Sequence, residues 1–549
     1  MSFLQQYSLK FTPLSPVHIG ANETYEPGNY VIDDETLALH GFDSHAALAG
    51  FDERDRQQLL AIVGGKPDDT MLTKVQAFFH NNREKLIAHA NPAIPVAKGV
   101  GDLYRKRIGQ TAQHEGGGRR VINKLEIERT FYNPVTGQPI FPGSSIKGAI
   151  RTALLDKINN GKRADRNERN QELQQRLLEG NFHTDPLRLV SLSDAHWHGD
   201  RNLPAQVVNF AVNRKRKPVL LNGHLVQSQA ELSNLTQLLE CVAPIAYQSL
   251  HGNLTLHNTD SVRHDKHKLP AEKFHWTMKD IAEACNRFYV HLFNQELQIL
   301  KDRGYADTVW LNGVERLFDN GLLQQMNAGK VFLLRVGRHS GAEAMTLEGV
   351  RSIKIMKGRG EKPDYASQPK TIWLAADEAD TKNTMKPFGW VLVEIDPQTE
   401  NTDCVDWLEK SADRWVTWQT QQNIRQQTLR KQATERLLIE QQRQAEQQAL
   451  VAAEQQRQLE EQQRLANLSP IDQEIEAFLK TVPEPEWDTR LLQELIKGRW
   501  QDEDCKAVAR KIKDLMIAAD KWMPDFTGSN KQKLKFKERS QKVSGFLDG

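Results

Sequence analysis

No glycine or proline occurs from Glu400 to Ser469, and this run constrains the chain's organisation more than any other feature. Glycine and proline are the residues that most oppose a helix. The run is built instead of Gln, Glu, Arg, Ala and Leu, which favour one. Its apolar residues, among them Ile424, Leu429, Leu437, Leu450 and Leu459, are too sparse for a sustained heptad seam. As a single helix over Ser411 to Asn467 it would span about 85 Å at 1.5 Å per residue. A helical hairpin is equally allowed. Two roles fit such a segment: a solvated spacer, or an arm that docks on a neighbouring subunit.

The run separates two unlike parts of a chain of 549 residues. After Pro470, Ile475, Phe478, Leu479, Leu491, Leu492, Leu495, Val508, Ile512 and Met516 recur at helical spacing. They predict a small helical module over 468–549, ending in the basic stretch Lys531, Lys533, Lys535, Lys537, Arg539 and Lys542. Before Pro397 the patterning is mixed. Tyr7, Leu9 and Phe11 alternate with polar residues and read as the start of a β-hairpin, broken at Pro13 and Pro16. Tyr30-Val31-Ile32 and Leu37-Ala38-Leu39 flank an Asp33-Asp34-Glu35-Thr36 turn. Residues 44–90 read as helical and 92–123 as loop. Strands are expected at 125–132, 140–141, 187–192, 253–257, 331–336 and 389–395. Helices are expected from about Gly143 to Ile158 and from Trp276 to Leu300. This is an α+β body with irregularly interleaved elements.

The mean hydropathy of -0.62 is low for so long a chain, and much of that polarity comes from the Gln-rich run. Lys and Arg number 73 against 71 Asp and Glu, which excludes a uniformly basic nucleic-acid coat and requires any basic surface to be local. No apolar run reaches the ~18 residues of a membrane span, and the first residues lack a secretory pattern. The 4 cysteines, Cys241, Cys285, Cys404 and Cys505, form no CxxC pair. Their spacing argues against a disulfide scaffold or structural zinc and fits a reducing cytoplasm.

The sharpest local signal is Phe141-Pro142-Gly143-Ser144-Ser145-Ile146-Lys147-Gly148-Ala149-Ile150-Arg151-Thr152. A strand ends at Phe141, Pro142-Gly143 turns, and Ser144 or Ser145 is placed to cap the following helix. Lys147 and Arg151 share a face at i,i+4. Free N–H groups at a helix start beside two cations suit a phosphate. An ordinary capped helix with exposed cations accounts for the same residues. A Walker A loop does not: Gly143 and Gly148 have its spacing, but Ala149-Ile150 stands where Lys-Ser/Thr is needed.

The segment FPGSSIKGAIRTALL resembles the Gly-rich signature of CRISPR-associated RAMP proteins, and LSPVHIGANETYEPGNYVID resembles their first hairpin. RVGRHSG (335–341) and KPFGWVLVEI (386–395) are similar to the C-terminal part of the family of the fifth subunit of the Csm complex, a type III-A effector. The resemblance spans about residues 1–397. It implies an RRM-like (ferredoxin-like) RAMP core with helical insertions over 1–260 and a second α+β part over 261–397. The arm over 398–467 and the module over 468–549 have no counterpart in it. It implies a subunit that binds the 3′ part of the crRNA at one end of the effector filament, beside the backbone RAMP subunit. Together with the residue readings, the expectation is a non-catalytic, cytoplasmic crRNA-binding subunit without cofactor or metal, capping the 3′-end side of the crRNA and meeting target RNA indirectly through the guide.

In this comparison Gly143, Ser144, Ser145, Lys147 and Arg151 lie along the guide backbone. His18, in the loop after the first strand, either contacts RNA or is a hydrogen-bonded loop histidine. Further basic groups are Arg119 and Arg120 after Gly116-Gly117-Gly118, the run Arg214-Lys215-Arg216-Lys217, Arg338-His339, and Lys354, Lys357 and Arg359. Such groups neutralise phosphates without reading sequence, or are solvated surface runs. Tyr132, Phe141 and Phe210 are either base-stacking or core aromatics. The rival is a RAMP endoribonuclease. Cutting RAMP subunits carry an Asp before their second strand, where this chain has Gly28; Asp33 and Asp34 come later and read as turn residues. His196-Trp197-His198, His264 and His267 lack a third ligand at metal spacing.

Overall fold

The structure is a computed structural model that describes residues 3–26, 28–43, 45, 48, 50–65, 67–109, 113–115, 119–121, 125–165, 168–200, 202–222, 224–226, 235–259, 269–357 and 360–548. It divides into two compact units, Met1–Glu435 and Arg436–Gly549.

The first unit is built on a seven-stranded sheet with the N-terminal strand Leu4–Pro13 in its interior. That strand pairs antiparallel with Leu250–His257 on one side, Tyr7 opposite Leu254, and with Trp390–Ile395 on the other, Phe11 opposite Val393. It does not form the expected hairpin. Beyond Pro13 the chain leaves the sheet, and the next strand, Gly20–Tyr25, joins a second, six-stranded sheet. The predicted hairpin Tyr30–Asp33 with Ala38–Gly41 is present, with Ile32 opposite Leu39.

Helices Gly143–Asn159 and Met278–Asp302 cover one face of the first sheet. Ile146, Ile150 and Leu154 of the first helix share a core with Leu9, Phe11, Leu254, Ile281 and Phe288. The Tyr289 hydroxyl ties the two helices by donating to the Ala149 carbonyl at 3.0 Å. This is an α+β, ferredoxin-like core with helical insertions.

The expected loop over 92–123 contains a helix, Lys98–Arg107. Its glycines weaken the helical pattern but serve packing. A Cβ at Gly99 would lie 2.7 Å from the Asp377 carbonyl, and one at Gly101 2.7 Å from Leu37. The segment 187–192 divides into a short 3-10 turn, Pro186–Leu189, and a strand, Val190–Leu192. Five strands of the second sheet were not read from the sequence: Gln206–Lys215, Thr236–Val242, Thr371–Ala376, Lys386–Pro387 and Gly20–Tyr25, the last in a segment that reads as loop. The first is buried on both faces yet carries Asn209, Asn213 and Arg214, which hide its apolar run.

Glu240 sits at the centre of the second sheet and is wholly buried. Its carboxyl accepts from the Tyr25 hydroxyl (2.9 Å) and the Thr130 N–H (2.9 Å). These bonds hold the strands Gly20–Tyr25 and Ile127–Thr130, which carry the loop from Val17 to Gly20. Val17 and Val242 exchange backbone hydrogen bonds of 3.3 and 2.7 Å beside it.

The Gln-rich run is one helix, Thr402–Ala466. In the first unit it is not a spacer: its polar side chains satisfy backbone carbonyls of the body. Trp418 Nε1 donates to Thr36 (2.9 Å), Gln426 Nε2 to Ala90 (2.7 Å) and Arg430 Nε to Ala88 (3.0 Å). Leu429 completes a separate core with Val31, Phe42, Phe51, Phe78 and Phe79. In the second unit, helices Pro470–Leu479, Trp487–Ile496, Asp502–Ala518 and Lys531–Asp548 enclose Ile475, Leu491, Leu495, Val508, Ile512 and Val543. The basic stretch is the last of these helices. Among the described residues, no helix is long and apolar enough to cross a membrane.

Two outcomes follow from this packing. Leu429→Ala leaves a hole in the core under the long helix and is expected to cost the first unit about 2–4 kcal/mol in chemical denaturation; a change under 0.5 kcal/mol would contradict the docking. Burial pushes the Glu240 carboxyl up from 4.5 to about 7, against the pull of Arg129 and the bonds from Tyr25 and Thr130. Between those values the folded state holds a proton that the unfolded state has lost, so this group's contribution falls as pH rises through that window. Glu240→Gln is expected to flatten that part of the stability–pH curve, and an unchanged slope would refute the assignment.

Candidate nucleic-acid interface

The helix Gly143–Asn159 starts where the sequence places it, but its cap is different. Pro142 holds the N-cap position, and no side chain there bonds the helix. Ser144 and Ser145 lie inside the first turn, and the carboxylate of Asp194 accepts the Gly143 N–H at 2.7 Å. An anion of the chain itself thus takes one of the donors that the sequence leaves for a phosphate. Gly143 is fixed by close approach: a Cβ there would lie 2.6 Å from the Leu192 carbonyl and 2.8 Å from that of Ser193.

The outer side of this helix is open. Ser144 and Gly148, one turn apart, are both exposed. A Cβ at Gly148 would meet nothing within 4 Å. Lys147, beside them, is half-buried and has no ion pair among the described residues. Burial lowers its ammonium below the usual lysine range, opposed by Asp185 and reinforced by Arg151 and Arg188. Arg151 is committed elsewhere: it pairs with Asp185 at 2.7 Å, and its Nε donates to Gln174 at 2.9 Å. The predicted cation pair is therefore one available ammonium and one structural guanidinium. Asp185 and Asp194, missed in the sequence, lie outside the motif, and each is set against it only by folding.

The segments 17–20 and 335–341, distant in sequence, meet in space. The Arg338 N–H donates to the His18 carbonyl at 2.7 Å. Gly337, at φ 84°, leaves no room for a side chain, since its Cβ would lie 2.3 Å from that oxygen. The His18 ring is wholly buried, with Nδ1 2.7 Å from the Glu240 carbonyl and Nε2 without a partner among the described residues. Burial lowers its pKa. It is placed as the hydrogen-bonded loop histidine of the two readings. His339 stacks on Trp373 at 4.6 Å and meets Gln237 through Nε2 at 3.0 Å. Burial, with Arg338 next to it, pushes its pKa down to about 3, so the ring is neutral. Arg338 is the exposed member of this group and pairs with Glu128.

The basic run at 214–217 is dispersed by its strand. Arg214 is buried and donates to the Thr381 carbonyl at 2.6 Å. Arg216 pairs with Glu343 inside the fold. Lys215 is half-buried and Lys217 exposed. Lys357 pairs with Asp364 at 2.9 Å. Arg119 and Arg120 lie on a strand, Arg119–Val121, paired with Gln113–Glu115. Gly116, Gly117, Gly118, His264, His267 and Arg359 fall outside the described residues. Phe141 and Phe210 are core, and Tyr132 lies under the Arg129 guanidinium at 3.7 Å. Asp33 is buried and paired with Arg425, while Asp34 pairs with Arg105. No cluster of three or more metal-ligating side chains occurs among the described residues.

Comparison with known proteins adds two kinds of likeness. A chain of a Csm–crRNA–target RNA ternary complex from a type III-A CRISPR-Cas system is 17% identical, with a TM-score of 0.42, over 71% of this chain and 100% of that one. Csm5 of T. onnurineus is 15% identical, with a TM-score of 0.40, over 70% of this chain and 99% of that one. No curated protein matches the sequence. The sequence profile of the RAMP superfamily matches residues 10–301, more than half of the chain, from the end of the N-terminal strand through the Gly143 helix. The protein belongs to the RAMP superfamily.

Proposed function

We propose that the chain is a crRNA-binding subunit of a type III CRISPR-Cas effector that cuts no RNA itself. It caps the 3′-end side of the guide, next to the backbone RAMP subunit, and meets target RNA through the guide. The observation that carries this reading is the open strip Ser144-Lys147-Gly148 on the helix at the heart of the family motif. A glycine inside a helix costs about 0.5–1 kcal/mol relative to alanine. At Gly148 no neighbour among the described residues needs the missing Cβ. The gap is explained if a ligand backbone passes close to the helix there, with Lys147 beside its phosphates.

Membership of the RAMP superfamily and the resemblance of the four motifs to the Csm fifth subunit support the same reading. The non-catalytic role draws on the acidic residues. Gly28 stands where cutting relatives carry an Asp, and the carboxylates of Asp33 and Asp34 are held in ion pairs with Arg425 and Arg105.

Two variants test the strip. Gly148→Ala is expected to raise thermal stability by about 0.5–1 kcal/mol while weakening crRNA binding. Lys147→Ala is expected to reduce the slope of log affinity against log salt by about 0.7, one phosphate contact on a single strand. Unchanged binding by both variants across a salt titration would refute the role. Incubation with repeat RNA and with complementary target RNA is expected to give no cleavage; metal-dependent cuts abolished by changing Asp33 or Asp34 would establish the endoribonuclease instead.

A further inference from the structure

The seven-stranded sheet has a second face, opposite the two helices. Cross-strand partners share a face, so the register assigns it. On the N-terminal strand it holds Gln6, Ser8 and Lys10; on the neighbouring strand it holds Thr255, Asn253 and His251 opposite them. His196 lies opposite His251 on the next strand, and His198 follows two residues later on the same side. These side chains are exposed or half-buried, whereas the alternate positions Leu250, Leu254 and Leu256 are core.

The imidazoles are ordered into a platform. His198 stacks on His251 with ring centroids 4.3 Å apart and planes 10° from parallel. His251 Nε2 lies 2.9 Å from the Gln248 carbonyl and so carries the proton, leaving the Nδ1 lone pair to accept from the Lys10 ammonium at 2.8 Å. Burial, Lys10 and His198 push the His251 pKa down to about 4, so that this arrangement persists at neutral pH. Lys10 has no carboxylate partner among the described residues. The acids around it are engaged. Glu394 opposite it is buried and accepts from Tyr247 (2.8 Å) and Gln248 (3.1 Å). Asp396 accepts the Ser8 N–H, and Asp194 caps the Gly143 helix. At the far end of the same strand pair, exposed Phe3 sits edge-on to His257 at 6.1 Å.

We propose that this face binds a single RNA strand, with a base stacked on the exposed side of His198, a phosphate at Lys10, and further stacking at Phe3. Ring platforms on an open stretch of sheet beside a cation with no carboxylate partner are the elements by which sheets take single-stranded RNA. Toward Trp390–Ile395 the same face is closed, with Thr12, Leu392 and Glu394 buried; a protein partner would want an apolar centre, and the part left open is Lys10, Ser8, Asn253 and imidazole. The surface is separate from the Ser144-Lys147-Gly148 strip, so it adds a second contact rather than restating the first.

The test uses the full chain and a labelled oligo-uridine bearing photoreactive thiouridine. Crosslinks are expected in the peptides containing His198 and His251, and they are expected to persist in Lys147→Ala. His198→Ala is expected to weaken binding about five-fold or more, the loss of one stacked base, and His198→Phe to restore it. Lys10→Gln, which keeps a donor for His251, is expected to reduce the salt slope by about 0.7. The exposed position of His198 keeps these variants folded, which their melting temperatures check. Absence of crosslinks from this face, or wild-type binding by both His198→Ala and Lys10→Gln, would overturn the proposal. So would protection of the face from hydrogen exchange by a neighbouring subunit without RNA. Loss of the sheet crosslinks with the Lys147 effect intact would refute this site alone.

Discussion

The body of this protein depends on the antiparallel seating of its N-terminal strand between Leu250–His257 and Trp390–Ile395. That strand joins segments from far along the chain and sets both faces of the sheet at once. Leu9 and Phe11 point to the helices; Ser8 and Lys10 point away. A slip of one residue would exchange the two sets, burying Lys10 and exposing Phe11. The strand's buried neighbours hold that register. Trp390 follows the same seam, donates from Nε1 to Glu296 at 2.6 Å, and lies under the Arg335 guanidinium, which pairs with Glu296 at 2.7 Å. A buried ion pair contributes little net stability, but breaking one partner is costly; here it fixes the helix Met278–Asp302 against the sheet.

The elements legible in the sequence were those whose signal is local. The Gly143 helix has a strand end, a turn and an apolar stripe within a short span. The Ile32–Leu39 hairpin has its own turn. The long helix has no breaker. Elements whose pattern is set by distant partners were hidden. The strand Gln206–Lys215 is buried on both sides but interrupted by Asn and Arg that find partners only in the fold, as Arg214 does at Thr381. The helix Lys98–Arg107 carries glycines that read as loop, although close packing against Asp377 and Leu37 is what requires them.

The site divides along the same line. The motif positions were visible, but the difference between Lys147 and Arg151 was not, because it rests on Asp185, far along the chain. The basic residues at 214, 216 and 338 look alike in sequence, yet each is paired in the fold, to carbonyls, to Glu343 and to Glu128. A basic run therefore measures what the fold can pair as much as what it offers to a nucleic acid. The features that remain open are smaller and more specific: one glycine, two ammonium groups and one stack of imidazoles. The docked part of the Gln-rich helix likewise draws on Gln and Arg side chains as carbonyl partners, a use that hydropathy does not reveal.

The central claim is that this subunit holds a guide RNA within a multisubunit particle. It is tested most directly by co-purifying the full chain with the products of its neighbouring genes and sequencing the ends of the bound RNA. The account predicts bound guide RNA with a defined 3′ boundary, and loss of this chain should lengthen or blur that boundary. A particle free of RNA, or RNA ends unchanged when the chain is absent, would contradict it.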